Sequence, residues 1–394
     1  MKILVANVGS TSFKFKLYDM RHETILAQGK IENIGQPLSK ISISSDAEPV
    51  KTEQALDGYE GAIGFCIDNL IDNGILSGLS ELNAVGFKTV HGKGLRECRI
   101  LDENVLAAMA EYNFLAPAHN PAYINAIRIF QKLAPNVPCV GLFEPAFHHT
   151  IPDYAYTTGL PLELAEKHGI RKYGFHGASH RYISERAPVF AGLDPKDCRI
   201  ISCHLGGSSS MCAIKNGESI DTTMSFSPQS GLLNATRCGD LDPFIPLFLQ
   251  KAENMSVDQV SELLQSDSGL AGIAGGHKDV LQIEKDAMQG DERARLAMRT
   301  YCYRVKLYIG AYYAALGGCD LLVFTGGIGE NSSVFRQEIC IGLECLSIHL
   351  DPGLNKEVRG EALISTSSSA VKIVVVPTNE ELVVARQVNK MLAG

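Results

Sequence analysis

The segment Ile3 to Asp19 most constrains the fold, because it sets a Gly/Ser/Thr turn, Val8-Gly-Ser-Thr-Ser12, between two apolar-rich runs that each read as a strand. The device recurs from Arg199, where Ile-Ile-Ser-Cys-His-Leu-Gly-Gly-Ser-Ser-Ser-Met-Cys-Ala-Ile-Lys follows, and Gly9 aligns with Gly206 when the hairpins are overlaid. A tight turn of small residues lets backbone N–H groups approach an oxyanion. Two such turns at equivalent places suggest two lobes gripping one polyphosphate, a kinase-like layout.

A chain of 394 residues exceeds one ordinary core, so two domains are expected. Hydrophobic content of 45% with 20% charged residues is globular, and the longest apolar runs fall far short of the roughly 20 residues of a membrane span. Met1-Lys2 leads straight into a strand pattern without a signal-peptide design, so the cytoplasm is the expected compartment. Eleven scattered cysteines without a CxxC pair argue against a disulfide framework. A net charge of −8 and the absence of a basic cluster interleaved with aromatics disfavour nucleic acid, leaving a small molecule as the partner.

Short β-rich runs alternate with helical periods, the mark of an α/β chain. After the first hairpin the pattern gives a polar loop near 44–54, a helix over 59–73, a strand over 84–91, helices near 102–112 and 121–133, and a strand over 138–143. Polar, proline-bearing 147–154 reads as the crossover to a second lobe. There the pattern gives the second hairpin, a helix entered through Asp240-Leu-Asp-Pro243, a long helix near 290–317, a strand over 320–325 and a strand over 371–376. Thr378 or Asn379 can cap a terminal helix, which could fold back onto the first lobe.

The groups able to carry chemistry each have two readings. Gly326-Gly-Ile-Gly-Glu-Asn331 follows a strand and opens a helix, so its amides can face an anion; a plain turn with glycines at positive φ is the alternative. Neither glycine turn is a Walker A loop, because no Gly-Lys-Ser/Thr follows. Among the middle histidines His91, His119, His148, His149, His176, His180 and His204 there is no HExxH pair, and Gly177 interrupts the spacing of His176 and His180, so hydrogen-bonding roles outweigh zinc ligation. Arg237, beside a small-residue turn, either reaches a phosphoryl group or pairs with Asp240 or Asp242. Lys88, inside a strand pattern, faces either an anionic ligand or a buried carboxylate. Glu144 stands at a strand end, where open α/β sheets place functional groups. Glu380 and Glu381 either supply oxygens to a hard cation or only complement a helix dipole.

In order along nearly the whole chain, Asn7-Val-Gly-Ser-Thr-Ser12, Val90-His-Gly92, Leu115-Ala-Pro-Ala-His-Asn-Pro121, Ala146-Phe-His148, Gly174-Phe-His-Gly-Ala-Ser-His-Arg181, Thr236-Arg-Cys-Gly-Asp-Leu-Asp-Pro243, the loop 324–332 and Thr378-Asn-Glu-Glu381 resemble the acetate kinase family. This is the acetokinase branch of the superfamily of sugar kinases, heat-shock ATPases and actin. The resemblance implies two ribonuclease-H-like (actin-like ATPase) α/β lobes with a central cleft, with 1–148 plus 383–394 as the first lobe and 149–382 as the nucleotide-binding lobe. It implies a cytoplasmic homodimer that moves the γ-phosphoryl of ATP reversibly to acetate, with Mg²⁺ or Mn²⁺ as cofactor. By position, Asn7 and Glu380 would hold the metal, and Glu144, His176 and Arg237 would be catalytic. Lys88, Val90, Ala118, His119, Phe175 and Pro228 would bind the carboxylate. Lys14, His204, Leu205, Gly206, Gly207, Ser208, Asp279, Val280, Leu281, Gly327, Ile328, Gly329, Glu330 and Asn331 would bind nucleotide.

Five departures stand out. Lys88 takes the place of the family's carboxylate-binding arginine, replacing a five-donor fork with a point charge. Glu144 takes the place of the catalytic aspartate, moving the carboxylate outward by roughly 1.5 Å. Gly206-Gly-Ser208 replaces the family's Gly-Asn-Gly, and Leu281 an arginine by the adenosine; both point to altered donor use, pyrophosphate included, while the paired changes at Lys88 and Glu144 give the alternative of a weakly catalytic nucleotide-binding paralogue. Ala118 replaces a leucine of the substrate pocket, which opens room for propionate or butyrate at about 0.8 kcal/mol per methylene.

Overall fold

Along Ser12–Asp19 apolar and polar residues alternate, and Phe13, Phe15 and Leu17 are buried while Lys14 stays exposed. That two-residue period is what a strand with one face on a core requires. In the computed structural model, which describes residues 1–9, 11–46, 48–92, 94–113 and 120–393, the chain forms two compact units, Met1–Ala146 with Asn379–Gly394 and Phe147–Thr378.

The first unit is built on β1 (Lys2–Val8), β2 (Ser12–Asp19), β3 (Thr24–Glu32), β4 (Ser39–Ser45), β5 (Val50–Gln54), β6 (Ala84–Thr89), β7 (Cys98–Ile100) and β8 (Cys139–Phe143), in spatial order β5-β4-β3-β2-β1-β6-β8-β7. β1, β6 and β8 run parallel, and the hairpins are antiparallel. The expected polar loop at 44–54 is instead the end of β4 and all of β5. Ile41 and Ile43 point into the core and Ser42 and Ser44 away, a half-buried alternation masked by its serines.

Helices Gly58–Asp72 and Asn120–Leu133 cover one sheet face through Ile63, Leu70, Ile127 and Phe130. The terminal helix Glu380–Ala393 lies on the other face, against β1, β6 and β8, with Val383, Val384, Ala385 and Val388 buried. Asn379 caps it, Oδ1 accepting from Leu382 N at 3.3 Å. Gly86 permits the close approach, since a Cβ there would stand 3.0 Å from Val384 Cγ1 and 3.2 Å from Val388 Cγ2.

The second unit repeats the design with β9 (Arg199–His204), β10 (Ser210–Lys215), β11 (Glu218–Thr222), β12 (Leu321–Thr325), β13 (Ala362–Leu363) and β14 (Lys372–Val375), ordered β11-β10-β9-β12-β14-β13. The run β3-β2-β1-β6-β8 of the first sheet and β11-β10-β9-β12-β14 of the second are the same topology, an antiparallel hairpin followed by parallel strands. The long helix Glu292–Leu316 covers one face through Tyr301, Val305 and Ile309. Helix Gly177–Ala191 covers the other through Ile183 and Ala187. Helix Phe244–Ala252 starts after Pro243, and Asp242 accepts from Phe244 N at 2.8 Å.

All eleven cysteines are free thiols. Among the described residues no helix is long and apolar enough to cross a membrane.

Burial pulls the pKa of His91 and of His148 from 6.5 down to about 4, and holds that of His180 well below its usual value. Each ring is held neutral in the fold but accepts a proton near 6.5 once unfolded. Their stabilisation is therefore present above pH 6.5 and lost as pH falls toward 4. Thermal stability is expected to drop between pH 7 and pH 5, by about 2 kcal/mol per histidine at pH 5. A flat Tm profile over that range would contradict it.

Candidate active site

In the first unit, four of the expected residues converge. Lys88, on the same face of β6 as Gly86, receives Glu380 from the start of the terminal helix, and the two side chains form a close ion pair. Glu144 follows β8 directly, is 5% exposed, and places Oε1 3.4 Å from Lys88 Nζ. Lys88 thus faces buried carboxylates, one of its two anticipated surroundings. Burial opposes its charge, but Glu380, then Glu144 and Tyr123, more than offset that and hold the ammonium well above its usual pKa.

Tyr123, from the helix Asn120–Leu133, ties Asn7 to this group. Its hydroxyl lies 3.3 Å from Asn7 Oδ1, its charge environment includes Lys88, Glu144 and Glu380, and its pKa is pushed up to about 12, mainly by burial. Lys14 stands opposite Asn7 across the β1–β2 ladder, where both line a pocket of about 300 Å³ with Lys16, Lys30 and Glu381. Lys16 binds Glu381 at 3.3 Å, so the adjacent acids at the helix start take different cations. Val90 is partly buried just past β6. Ala118 and His119 lie outside the described residues. Asn120, next in line, is buried and donates to His91 O and Met109 O at 3.0 and 2.9 Å.

In the second unit, His176 is the N-cap of Gly177–Ala191 with φ of 53°, a left-handed conformation that costs a non-glycine residue about 1 kcal/mol or more and clusters at functional sites. Its ring stacks on His204 at 4.2 Å; Phe175, next to it in sequence, and Pro228, in the same unit, are both buried. The β9–β10 turn carries Leu205 to Ser208. Gly206 N is spent on Ser209 Oγ at 3.1 Å, so the turn presents Gly207 and Ser208 outward.

Arg237 Nη1 donates to Ser208 Oγ at 3.1 Å. The alternative pairing with Asp240 or Asp242 does not occur: Asp240 accepts from Gly231 N and Tyr308 OH, and Asp242 from Phe244 N. Among the described residues no carboxylate pairs with Arg237, and burial lowers its pKa.

The loop after β12 is a six-residue helix, Gly326–Asn331. Gly326, at φ of 76°, brings the loop against the β9 turn, where a Cβ would stand 2.7 Å from Leu205 O. Three of its amides are spent within the protein. Gly326 N donates to Glu330 Oε1 at 2.8 Å, and Ile328 N and Gly329 N donate to Leu205 O at 2.8 and 3.1 Å. The last two bind the loop to the β9 turn, leaving Gly327 at the loop's crest. Asn331 Nδ2 donates to Gly327 O at 2.9 Å.

Asp279 caps the helix Val280–Gln289 through Leu281 N at 3.0 Å, and Leu281 is 58% exposed. No hydrogen bond or ion pair described here joins that segment to His176 or Arg237.

Several organising residues have no signal in the sequence. Arg336 is 1% exposed, has no carboxylate partner among the described residues and braces the loop, Nη1 donating to Gly329 O and Glu330 O at 2.8 and 3.0 Å and Nε to Asn355 Oδ1 at 2.7 Å. Ser179, Ser202 and Ser210 bind the ring nitrogens of the histidines. Only β9–β10 register, which sets Ser210 opposite His204, reveals them.

Among the described residues no group of three or more His, Cys, Asp or Glu side chains is placed to hold a metal. Asn7, which accepts from Tyr123, and Glu380, within the electrostatic reach of Tyr123, are hard oxygen donors, a set that suits a cation taking few protein ligands.

Two α/β units of one topology, each ending in a turn or strand end that gathers polar groups, define a protein of the actin-like ATPase class. The chain belongs to the acetokinase family, whose model matches residues 2–386. It is 47% identical to an acetate kinase of Carboxydothermus hydrogenoformans, with all of both chains covered. Among solved structures it resembles Porphyromonas gingivalis acetate kinase (40% identity, TM-score 0.89, 99% of each chain). It also resembles a propionate kinase from Francisella tularensis (35% identity, TM-score 0.90, 98% of each chain).

Proposed function

We propose that the chain transfers the γ-phosphoryl of ATP reversibly to a short-chain carboxylate, acetate first, giving an acyl phosphate and ADP. The observation that carries this reading is Arg237, a partly buried guanidinium without a carboxylate partner among the described residues, held on Ser208 of the glycine turn. A cation so placed serves the charge that spreads over a transferring phosphoryl group.

In this reading the carboxylate oxygen attacks the γ-phosphorus as the bond to the ADP oxygen breaks, with Arg237 and His176 taking the equatorial charge. Lys88 draws the carboxylate in, and Glu144 orients Lys88 from 3.4 Å. Asn7 and Glu380 would hold Mg²⁺, which when bound neutralises phosphate charge; Mn²⁺ suits the same oxygens. Lys14, His204 to Ser208, Asp279 to Leu281 and Gly327 to Asn331 would contact the nucleotide. By position in the family's pattern, Val90, Ala118, His119, Phe175 and Pro228 would contact the carboxylate.

We place the activity in the cytoplasm, where free thiols stay reduced. A homodimer is also proposed. Phe244, Leu247 and Phe248 are 73%, 51% and 66% exposed on one face of the helix Phe244–Ala252, an apolar patch suited to a second copy. Light scattering that returned a single-chain mass would overturn the dimer.

The function is tested by trapping acyl phosphate as hydroxamate with Mg·ATP and acetate, propionate or butyrate, using Arg237→Ala as control. Turnover that vanishes in the control supports it and ranks the acids. No turnover with any acid removes it.

A further inference from the structure

We infer that His180, Ser210 and Ser202 form a hydrogen-bond relay that sets which ring nitrogen of His176 carries the proton. The inference rests on the kinase reading only in giving His176 a phosphoryl group to face.

The groups meet because of backbone register. Ser202 and His204 share a face of β9, Ser210 pairs with His204 across the ladder, and the helix Gly177–Ala191 lays His180 on that face. His180 is fully buried, with Nδ1 2.9 Å from Ser202 Oγ and Nε2 2.9 Å from Ser210 Oγ. Ser210 Oγ also lies 2.8 Å from His176 Nδ1.

A hydroxyl has one proton, so between two imidazole nitrogens Ser210 donates to one and accepts from the other. Burial, and then the neighbouring His148 and His204, keep His180 neutral, with one donor and one acceptor nitrogen. The three bonds are therefore interdependent. When His180 Nε2–H donates to Ser210, the serine donates to His176 Nδ1 and Ser202 donates to His180 Nδ1. A neutral His176 then carries its proton on Nε2, as a donor for a phosphoryl oxygen. The reverse arrangement would leave a neutral His176 with a lone pair on Nε2, repelled by the same oxygen. Ser179 Oγ binds His204 Nδ1 at 2.8 Å and so fixes the ring against which His176 stacks.

His180 and Ser210 are thus positioning residues acting through His176. The test is long-range ¹H–¹⁵N correlation spectroscopy on the whole protein with ¹⁵N-labelled histidine. Nε2-protonated neutral rings are expected for both His176 and His180. In Ser210→Ala, His176 is expected to populate both tautomers while kcat falls about tenfold, the equivalent of one hydrogen bond, with both KM values held within about twofold. Ser210→Thr, which keeps the hydroxyl, should restore the tautomer and most of kcat. An Nδ1-protonated neutral His176 in the unmodified protein, or an unchanged tautomer in Ser210→Ala, would overturn the relay. If the serine variants fail to fold, the unmodified protein's spectrum alone decides. Absent acyl-phosphate formation with the expected spectrum would count against the kinase reading and leave the relay standing.

Discussion

Alanine in place of Arg237 is expected to lower kcat about a thousandfold, some 4 kcal/mol of transition-state stabilisation, with little change in thermal stability. The asymmetry follows from its surroundings. The guanidinium is partly desolvated and answered by Ser208 Oγ at 3.1 Å, with no carboxylate partner among the described residues, so the free fold gains little from its charge. Only a group bearing negative charge repays its burial. Arg237→Lys should recover a minor share, since an ammonium cannot reproduce a fork of donors. Steady-state kinetics with thermal unfolding of the same samples checks both halves. An unchanged kcat would remove Arg237 from the chemistry, and a large fall in Tm would show that its role is to hold the turn.

The second large effect is expected at Lys88. Lys88→Met should cost about 3 kcal/mol of stability and lower kcat/KM for the carboxylate by about a hundredfold or more. Lys88 answers both Glu144 and Glu380, so its loss takes the paired cation from two carboxylates, one of them 5% exposed. The double variant Lys88→Met/Glu144→Gln should regain part of the stability and none of the activity, because it removes one buried negative charge without restoring a cation. Lys88→Arg is expected to fall short of the native enzyme, since the site is set by a compact ammonium against an acid one methylene longer than the family's. Urea unfolding and initial rates measure these effects. An unchanged midpoint with unchanged kcat/KM in Lys88→Met would contradict the assignment.

How far the sequence could be read depended on how local the physics was. The first hairpin announces itself through alternation and a small-residue turn, and the strand ends before Glu144 and Gly326 are punctuated by Pro145 and glycine. β4 and β5 escaped because serines and charges on the outer face hide an alternation carried mainly by Ile41 and Ile43. The loop Gly326–Asn331 looked ready for an anion, yet Gly326 N answers to Glu330 within the loop, and Ile328 N and Gly329 N to Leu205 O, a partner that only tertiary approach supplies. Tyr123 and Arg336 read as ordinary helix residues, and their importance lies in what they touch across 116 and 7 positions of sequence respectively. Lys88 and Glu144 were visible as departures from a pattern, whereas their shared ion pair with Glu380 required the terminal helix to come home.

That return has a consequence for biosynthesis. The Val383, Val384 and Val388 stripe that seals β1, β6 and β8 leaves the ribosome only after residues 147–378 have been made. Residues 147–378 are continuous, so the second unit has its whole sequence in hand while the first, though translated earlier, still shows a bare apolar sheet face. The first unit therefore completes its core only after the whole of the second unit has been made. The same helix carries Glu380, so a first unit without it lacks both a wall of its core and the acid that meets Lys88.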